Sequence, residues 1–353
     1  MRNVKKLIVT TFMIFLCFTV FSQGTRWSEK QIWDWYKQND WFSGVNYIPS
    51  NAINYTAMWD KTSFSPDLIE REITLAKSIG FNCVRVVLQY AVYADDPKYF
   101  LNTVDKFLAI CDKHGIKVMP ALFDDCAFGA NTDPVIGKQS EPLEGWYAWA
   151  WSPSPGHSMV NDPRTYPKLE GYVKEIITRF KNDKRVFVWD LYNEPSISFQ
   201  LVKNVFAWAR QVNPTQPLTV FSFEDLKEQN DFVLANSDVI TFHCYDAKEK
   251  TAAFIERLKK YNRPIICTEW MCRPQKSTVE EILPLFRELN VGCILWGLVN
   301  GKTQTNLPWG FRPGKLPYLG PWQHDLFRPN LEPYDVKEIE LIKRLNIRDK
   351  KMI

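Results

Sequence analysis

Short apolar segments alternate with amphipathic ones along this chain, and the alternation restricts it to folds in which parallel strands are joined by crossover helices. Eight units are legible. The expected strands are Phe42 to Tyr47, Asn82 to Leu88, Lys117 to Phe123, Val186 to Leu191, Leu218 to Ser222, Val239 to His243, Ile265 to Thr268 and Gly292 to Leu298. Between them, apolar residues recur at helical spacing. Ser65 caps a helix with Pro66 at its first position, and Ile69, Ile73, Ala76 and Ile79 keep one face apolar until Gly80 stops it. Further helices are expected over Asn102 to Lys113, Tyr166 to Phe180, Leu201 to Val212, Thr251 to Tyr261, Thr278 to Leu289 and Asp335 to Arg344, with a weaker pattern over Phe223 to Leu234. Eight βα units in 353 residues fit one (β/α)8 barrel, of TIM type, as a single domain over residues 23–353.

Two connections exceed what packing needs, Asp124 to Arg164 after strand 3 and Val299 to Tyr334 after strand 8. Both leave strand C-termini, the side on which barrel loops build sites, so they are expected to wall a cleft. The first holds Trp146, Tyr147, Trp149 and Trp151, and the second Trp309 and Trp322. With 14 Trp, 14 Tyr and 23 Phe the chain has more rings than a barrel core requires, and loop tryptophans suit the apolar faces of sugars as well as they suit plugging a long loop. Lys302, Gln304 and Asn306 read either as a polar strip facing substrate or as a solvated loop face.

Arg2, Lys5 and Lys6 precede an apolar run from Leu7 to Phe21, the pattern of a signal peptide over residues 1–22 cleaved after Ser22. The run is short for a bilayer span, so no stable membrane insertion is expected after cleavage. Export to the periplasm or the extracellular space follows. Lipoprotein anchoring through Cys17 is disfavoured by Leu16 before it. Of 44 Lys and Arg against 40 Asp and Glu, three basic residues leave with the segment, and a charge of about +1 offers no footprint for nucleic acid. Seven cysteines remain, an odd number with no zinc-ligand spacing. Most fall within strands as buried thiols, although a bridge such as Cys111 with Cys126 stays open in an oxidising compartment.

The chemistry is concentrated at strand ends. Val186-Phe-Val-Trp-Asp-Leu-Tyr-Asn193-Glu194-Pro195 stops abruptly at an amide and a carboxylate, and Ile265-Ile-Cys-Thr-Glu269-Trp270 also ends in a glutamate. In one parallel barrel both reach the C-terminal mouth, where opposed carboxylates supply a proton donor and a nucleophile for glycosidic cleavage. The competing reading makes each an ordinary strand-end salt bridge. Asp124 and Asp125 end strand 3 and serve either sugar hydroxyls or an Asx turn. Asn46 is a site amide or a turn residue, and His157 reaches the site or faces solvent. No metal and no organic cofactor are expected.

Trp189-Asp-Leu-Tyr-Asn193-Glu194-Pro195 resembles the fourth-strand signature of clan A glycoside hydrolases, the superfamily of the family 5 cellulases and mannanases. Thr268-Glu269-Trp270 resembles its seventh-strand nucleophile motif, His243-Cys-Tyr245 the family 5 His-x-Tyr, and Trp296 the eighth-strand stacking tryptophan. Arg85 corresponds to a second-strand arginine. The likeness spans about residues 42 to 300, and the chain closely resembles bacterial cellulase-like or 1,4-β-xylanase-like barrels. It implies Glu194 as acid/base, Glu269 as nucleophile and Asn193 as partner of the sugar 2-hydroxyl. It also implies Arg85 and Tyr245 as holders of Glu269, and His243 as the group that orients donor or substrate. Asp124, Asn46 and Trp151 complete the substrate-binding set. One departure is visible, Phe123-Asp-Asp-Cys126 where family 5 enzymes often carry a histidine.

The reading is therefore a retaining β-glycoside hydrolase acting on a β-linked oligosaccharide or polysaccharide. The alternatives are an inactive barrel that binds carbohydrate, or a transglycosylase.

Overall fold

A computed structural model describes residues 24–347 apart from 222, 312 and 316, so the expected signal peptide lies outside the described residues. Eight strands form one parallel sheet: β1 (Ser43–Asn46), β2 (Cys83–Val87), β3 (Lys117–Ala121), β4 (Trp189–Asp190), β5 (Leu218–Thr219), β6 (Ile240–His243), β7 (Ile265–Glu269) and β8 (Gly292–Trp296). Their order, β5-β4-β3-β2-β1-β8-β7-β6, curls the sheet until its edges meet. The β5/β6 seam is closed by Asp238 N donating to Leu218 O at 2.8 Å and by the Thr219 and Thr241 hydroxyls at 2.9 Å. The protein is thus a (β/α)8 barrel.

Strands are shorter than their apolar runs because ladder bonding ends where the barrel flares. Val186 to Val188 remain buried, yet regular pairing holds only at Trp189 and Asp190. Helices keep their predicted places, with Pro66–Ser78, Tyr166–Phe180 and Val279–Glu288 each burying an apolar stripe. Four helices are additional among the described residues: Glu29–Lys37, Tyr55–Trp59, Tyr90–Asp95 and His157–Val160. Glu29–Lys37, capped by Ser28, lays Ile32 and Tyr36 across the N-terminal end of the barrel, where Phe42 stacks on Phe187 at 4.6 Å. A barrel must be plugged below as well as packed within, and this helix is the plug. Among the described residues no helix is long and apolar enough to cross a membrane.

Register fixes the mouth. Asn46 pairs across with Arg85 on one side and Trp296 on the other, and His243 pairs with Glu269 through a bulge. These side chains consequently form one layer at the strand C-termini.

Candidate active site

A cavity of about 200 Å³ opens at this mouth, with Glu194 and Glu269 on its wall beside Asn193, Cys126, Tyr245, Trp151 and Trp296. One oxygen of each carboxylate and a ring nitrogen of His243 all lie within 4.8 Å of one another. Among the described residues this is the one cluster of three such groups close enough to hold a metal ion.

Glu269 is gripped from two sides. Arg85 Nη1 donates to Oε1 at 3.1 Å and the Tyr245 hydroxyl to Oε2 at 2.7 Å. Arg85 is itself fully buried, and it spends its remaining donors on Asp190 (2.8 Å), Asn46 Oδ1 (2.8 Å) and Asn193 Oδ1 (2.5 Å). A guanidinium without water must satisfy its planar fork from protein acceptors, and here two carboxylates and two amides do so. Asn46 in turn donates to Thr268 O at 2.7 Å. Arg85 and Asn46 therefore sit beneath the cavity rather than in it.

Glu194 is held differently. It has a left-handed backbone, φ 42°, a conformation that costs a residue with a Cβ on the order of 1 kcal/mol and persists only where the surroundings impose it. Asp125 imposes it. Its carboxylate accepts from Tyr192 Oη (2.7 Å), Ser196 N (2.8 Å), Ile197 N (3.0 Å) and Ser198 Oγ (2.7 Å), clamping the loop on both sides of Glu194. The Glu194 carboxylate then receives His243 Nδ1 at 2.8 Å and Cys126 Sγ at 3.1 Å. His243 stacks flat on Phe221 at 3.9 Å, and its Nε2 is buried with no partner, so Nδ1, facing the carboxylates, is the nitrogen assigned the proton.

Two carboxylates this close titrate together. Burial raises Glu194, but the bonds from His243 and Cys126 hold it below the usual carboxylate range. Glu269 is pushed up by burial and by the charge of Glu194, against the pull of His243, Arg85 and Tyr245.

Asp124 lies behind the cavity at 1% exposure. It accepts from Asn193 Nδ2 (2.8 Å), Cys126 N (2.9 Å) and Trp151 Nε1 (3.3 Å), and burial raises its carboxyl to about 7. It positions Asn193 and Trp151, both of which do line the cavity. His157 Nε2 is 2.8 Å from Asp125 O, buttressing the same loop rather than facing the carboxylates.

Some expectations need correction. Cys111 and Cys126 are both free thiols, because Cys111 is packed in the core while Cys126 points at Glu194. Gln304 and Asn306 are not a substrate strip: Gln304 binds the other long loop, and Asn306 Oδ1 accepts from Asn300. Sequence reasoning missed Asp190 as partner of Arg85, and it missed the Cys126 thiol. The signal for the first was a charged residue in the apolar strand Val186 to Leu191; for the second it was the departure after strand 3.

The sequence model described as "Glycosyl hydrolases family 2, TIM barrel domain" matches residues 56–305. Among curated proteins, none matches the sequence. Solved structures share the fold. A glycoside hydrolase of family 5, subfamily 18, from Streptomyces cattleya in complex with GlcNAc is 12% identical with a TM-score of 0.59, covering 87% of this chain and 81% of its own. The subfamily 18 enzyme from Bifidobacterium longum in complex with mannosyl-β1,4-GlcNAc is 12% identical with a TM-score of 0.62, over 89% and 79%. A family 5 mannosidase from Rhizomucor miehei is 18% identical with a TM-score of 0.54, over 86% and 91%.

Proposed function

The chain belongs to the glycosyl hydrolase family 2 TIM-barrel family and is an O-glycoside hydrolase of clan A, and from that premise we propose that it cleaves β-linked oligosaccharides with retention of configuration. The observation that carries the proposal is the approach of Glu194 and Glu269, oxygens within 4.8 Å of each other. Retaining enzymes hold their carboxyl groups about 5 to 5.5 Å apart, whereas inverting enzymes need roughly 6.5 to 9.5 Å to admit a water. The short gap favours direct attack.

In the first step Glu269 attacks the anomeric carbon while Glu194 gives its proton to the departing glycosidic oxygen. Water, deprotonated by Glu194, then breaks the glycosyl ester and releases Glu269 as the anion. The productive state has a proton on Glu194 and leaves Glu269 as the anion. A glycosidic oxygen accepting from Glu194 draws the proton there, and Arg85 and Tyr245 are already in place to hold the Glu269 anion. Asn193 faces the cavity where a sugar 2-hydroxyl would sit, and Trp151 and Trp296 offer ring faces.

The solved relatives bind GlcNAc or mannosyl-GlcNAc or are mannosidases, which makes β-mannosides and β-N-acetylglucosaminides the first sugars to try. The basic and apolar N-terminal segment supports export to the periplasm or the extracellular space. The testing experiment replaces Glu269 with glycine and supplies azide. Return of activity with an inverted glycosyl azide as product is expected, and a product of retained configuration refutes Glu269 as nucleophile. Near-normal turnover in Glu194→Gln on substrates with poor leaving groups would equally refute the donor assignment.

A further inference from the structure

The aromatic wall of the cavity includes Trp309, which the reaction described above does not use. Among the described residues it is the one large apolar side chain that both lines the cavity and stands exposed, at 38%. Trp151, by contrast, is 3% exposed and backed by Trp296 at 5.7 Å. The ring contacts of Trp309 are all steep: Tyr245 at 4.9 Å and 86°, His324 at 5.5 Å and 67°, and Tyr147 at 6.3 Å and 68°. No ring among the described residues lies flat on it, as Phe221 lies on His243. A buried polar relay fixes its place. His324 Nδ1 is 2.5 Å from Met271 O, its Nε2 is 2.9 Å from Gln323 Nε2, and Gln323 Oε1 accepts from Trp309 N at 3.0 Å. Burial lowers the His324 pKa to about 3, so the imidazole is neutral, with its proton assigned to the nitrogen that faces the carbonyl. Met271 follows Glu269 and Trp270 in the chain, so the relay ties Trp309 to the strand that carries the nucleophile.

Position decides what such a ring meets. The anomeric carbon under attack lies between Glu194 and Glu269, and the Tyr245 hydroxyl bonds Glu269 at 2.7 Å. Trp309 packs at a right angle against Tyr245, so it is one aromatic ring removed from the nucleophile, on an exposed part of the cavity wall. An exposed indole held in one place meets a flat apolar partner at little cost in conformational entropy. A β-linked pyranose is such a partner, since the C–H bonds of one face are apolar enough to cover an indole. We propose that Trp309 is the platform for a second sugar ring, the one bonded to the reacting sugar, and so determines the preference for two-ring over one-ring substrates. This inference rests on the hydrolytic reading above.

The test first finds which sugar wild type cleaves from p-nitrophenyl β-glycosides and β1,4-linked oligosaccharides. It then compares three substrates of that sugar: the β-glycosyl fluoride, which has one ring, the β-fluoride of the β1,4-linked disaccharide, and the disaccharide itself. The two-ring substrates put their second ring on opposite sides of the carboxylates, and the one that responds assigns the side. Trp309→Ala should lower the ratio of kcat/KM for a two-ring substrate to that for the one-ring fluoride by about tenfold, and Trp309→Phe should restore most of it. The ratio does not depend on how much of a variant is folded, and Trp309→Leu carries the same test if the alanine variant does not fold. Ratios within about twofold of wild type for both two-ring substrates, with fluoride still released from the one-ring compound, overturn the second-ring platform alone. Hydrolysis of no aryl glycoside and no oligosaccharide by wild type overturns the hydrolytic reading and this inference with it.

Discussion

Replacing Arg85 with methionine removes the only cation that the structure places between Asp190 and Glu269, among the described residues, and leaves side-chain volume nearly unchanged. At an effective dielectric constant near 20, ion contacts of 2.7 and 3.1 Å correspond to gross attractions of about 6 and about 5 kcal/mol. Desolvation of three buried charges cancels most of that, and breaking one partner out of such a buried group costs about 3 to 5 kcal/mol net. That is a large share of a typical domain stability, so urea unfolding should show a lowered midpoint with little change in slope. Activity should respond with a defined sign. Arg85 pulls Glu269 down, so without it the carboxyl rises further, and the acid limb of kcat/KM on an aryl β-glycoside should move to higher pH. Arg85→Lys keeps a charge but loses the planar fork, and should fall between the two. A methionine variant within about 1 kcal/mol of wild type, with its acid limb unmoved, would refute the argument that this guanidinium neutralises the pair.

Cys126→Ala removes a donor that lowers Glu194, so the alkaline limb of kcat/KM should shift to higher pH and Cys126→Ser should restore it; an unmoved limb in the alanine variant would show that the thiol is filler. Burial raises Asp124 to about 7 and Asp325 to about 6, from ordinary values near 4, so the folded state holds more protons than the unfolded state across that window. Their contribution to stability must then fall as pH rises from about 4 to about 7, by at most about 4 kcal/mol for Asp124. Thermal unfolding across that range should show the slope, and Asp124→Asn should flatten it.

The strand and helix pattern was readable because it is local: apolar alternation, Ser65-Pro66 at a helix start and a stop at Gly80 each act within a few residues. Parallel connectivity then carried Glu194 and Glu269 to one mouth, since every strand in such a barrel points the same way. Side-chain roles within the mouth were less legible. Asp124 and Asn46 read as sugar ligands, and both are occupied with Asn193, Trp151, Thr268 and Arg85 instead. A polar residue at a strand end has the same sequence signature whether it meets solvent, substrate or a neighbouring strand. The plug helix Glu29–Lys37 was overlooked for a related reason, as its apolar face is short and its partner is the barrel floor.

The amino-acid order alone thus determined eight βα units and the two acidic strand ends, because those depend on periodicity and on chain direction. Only tertiary structure decided that Arg85 meets residues 105 and 184 positions away, that Cys126 meets Glu194, and that Gln304 joins two loops 159 to 161 positions apart. Contacts at such separations are set by how the barrel closes and how its loops pack over the mouth, and no local pattern in the chain encodes them.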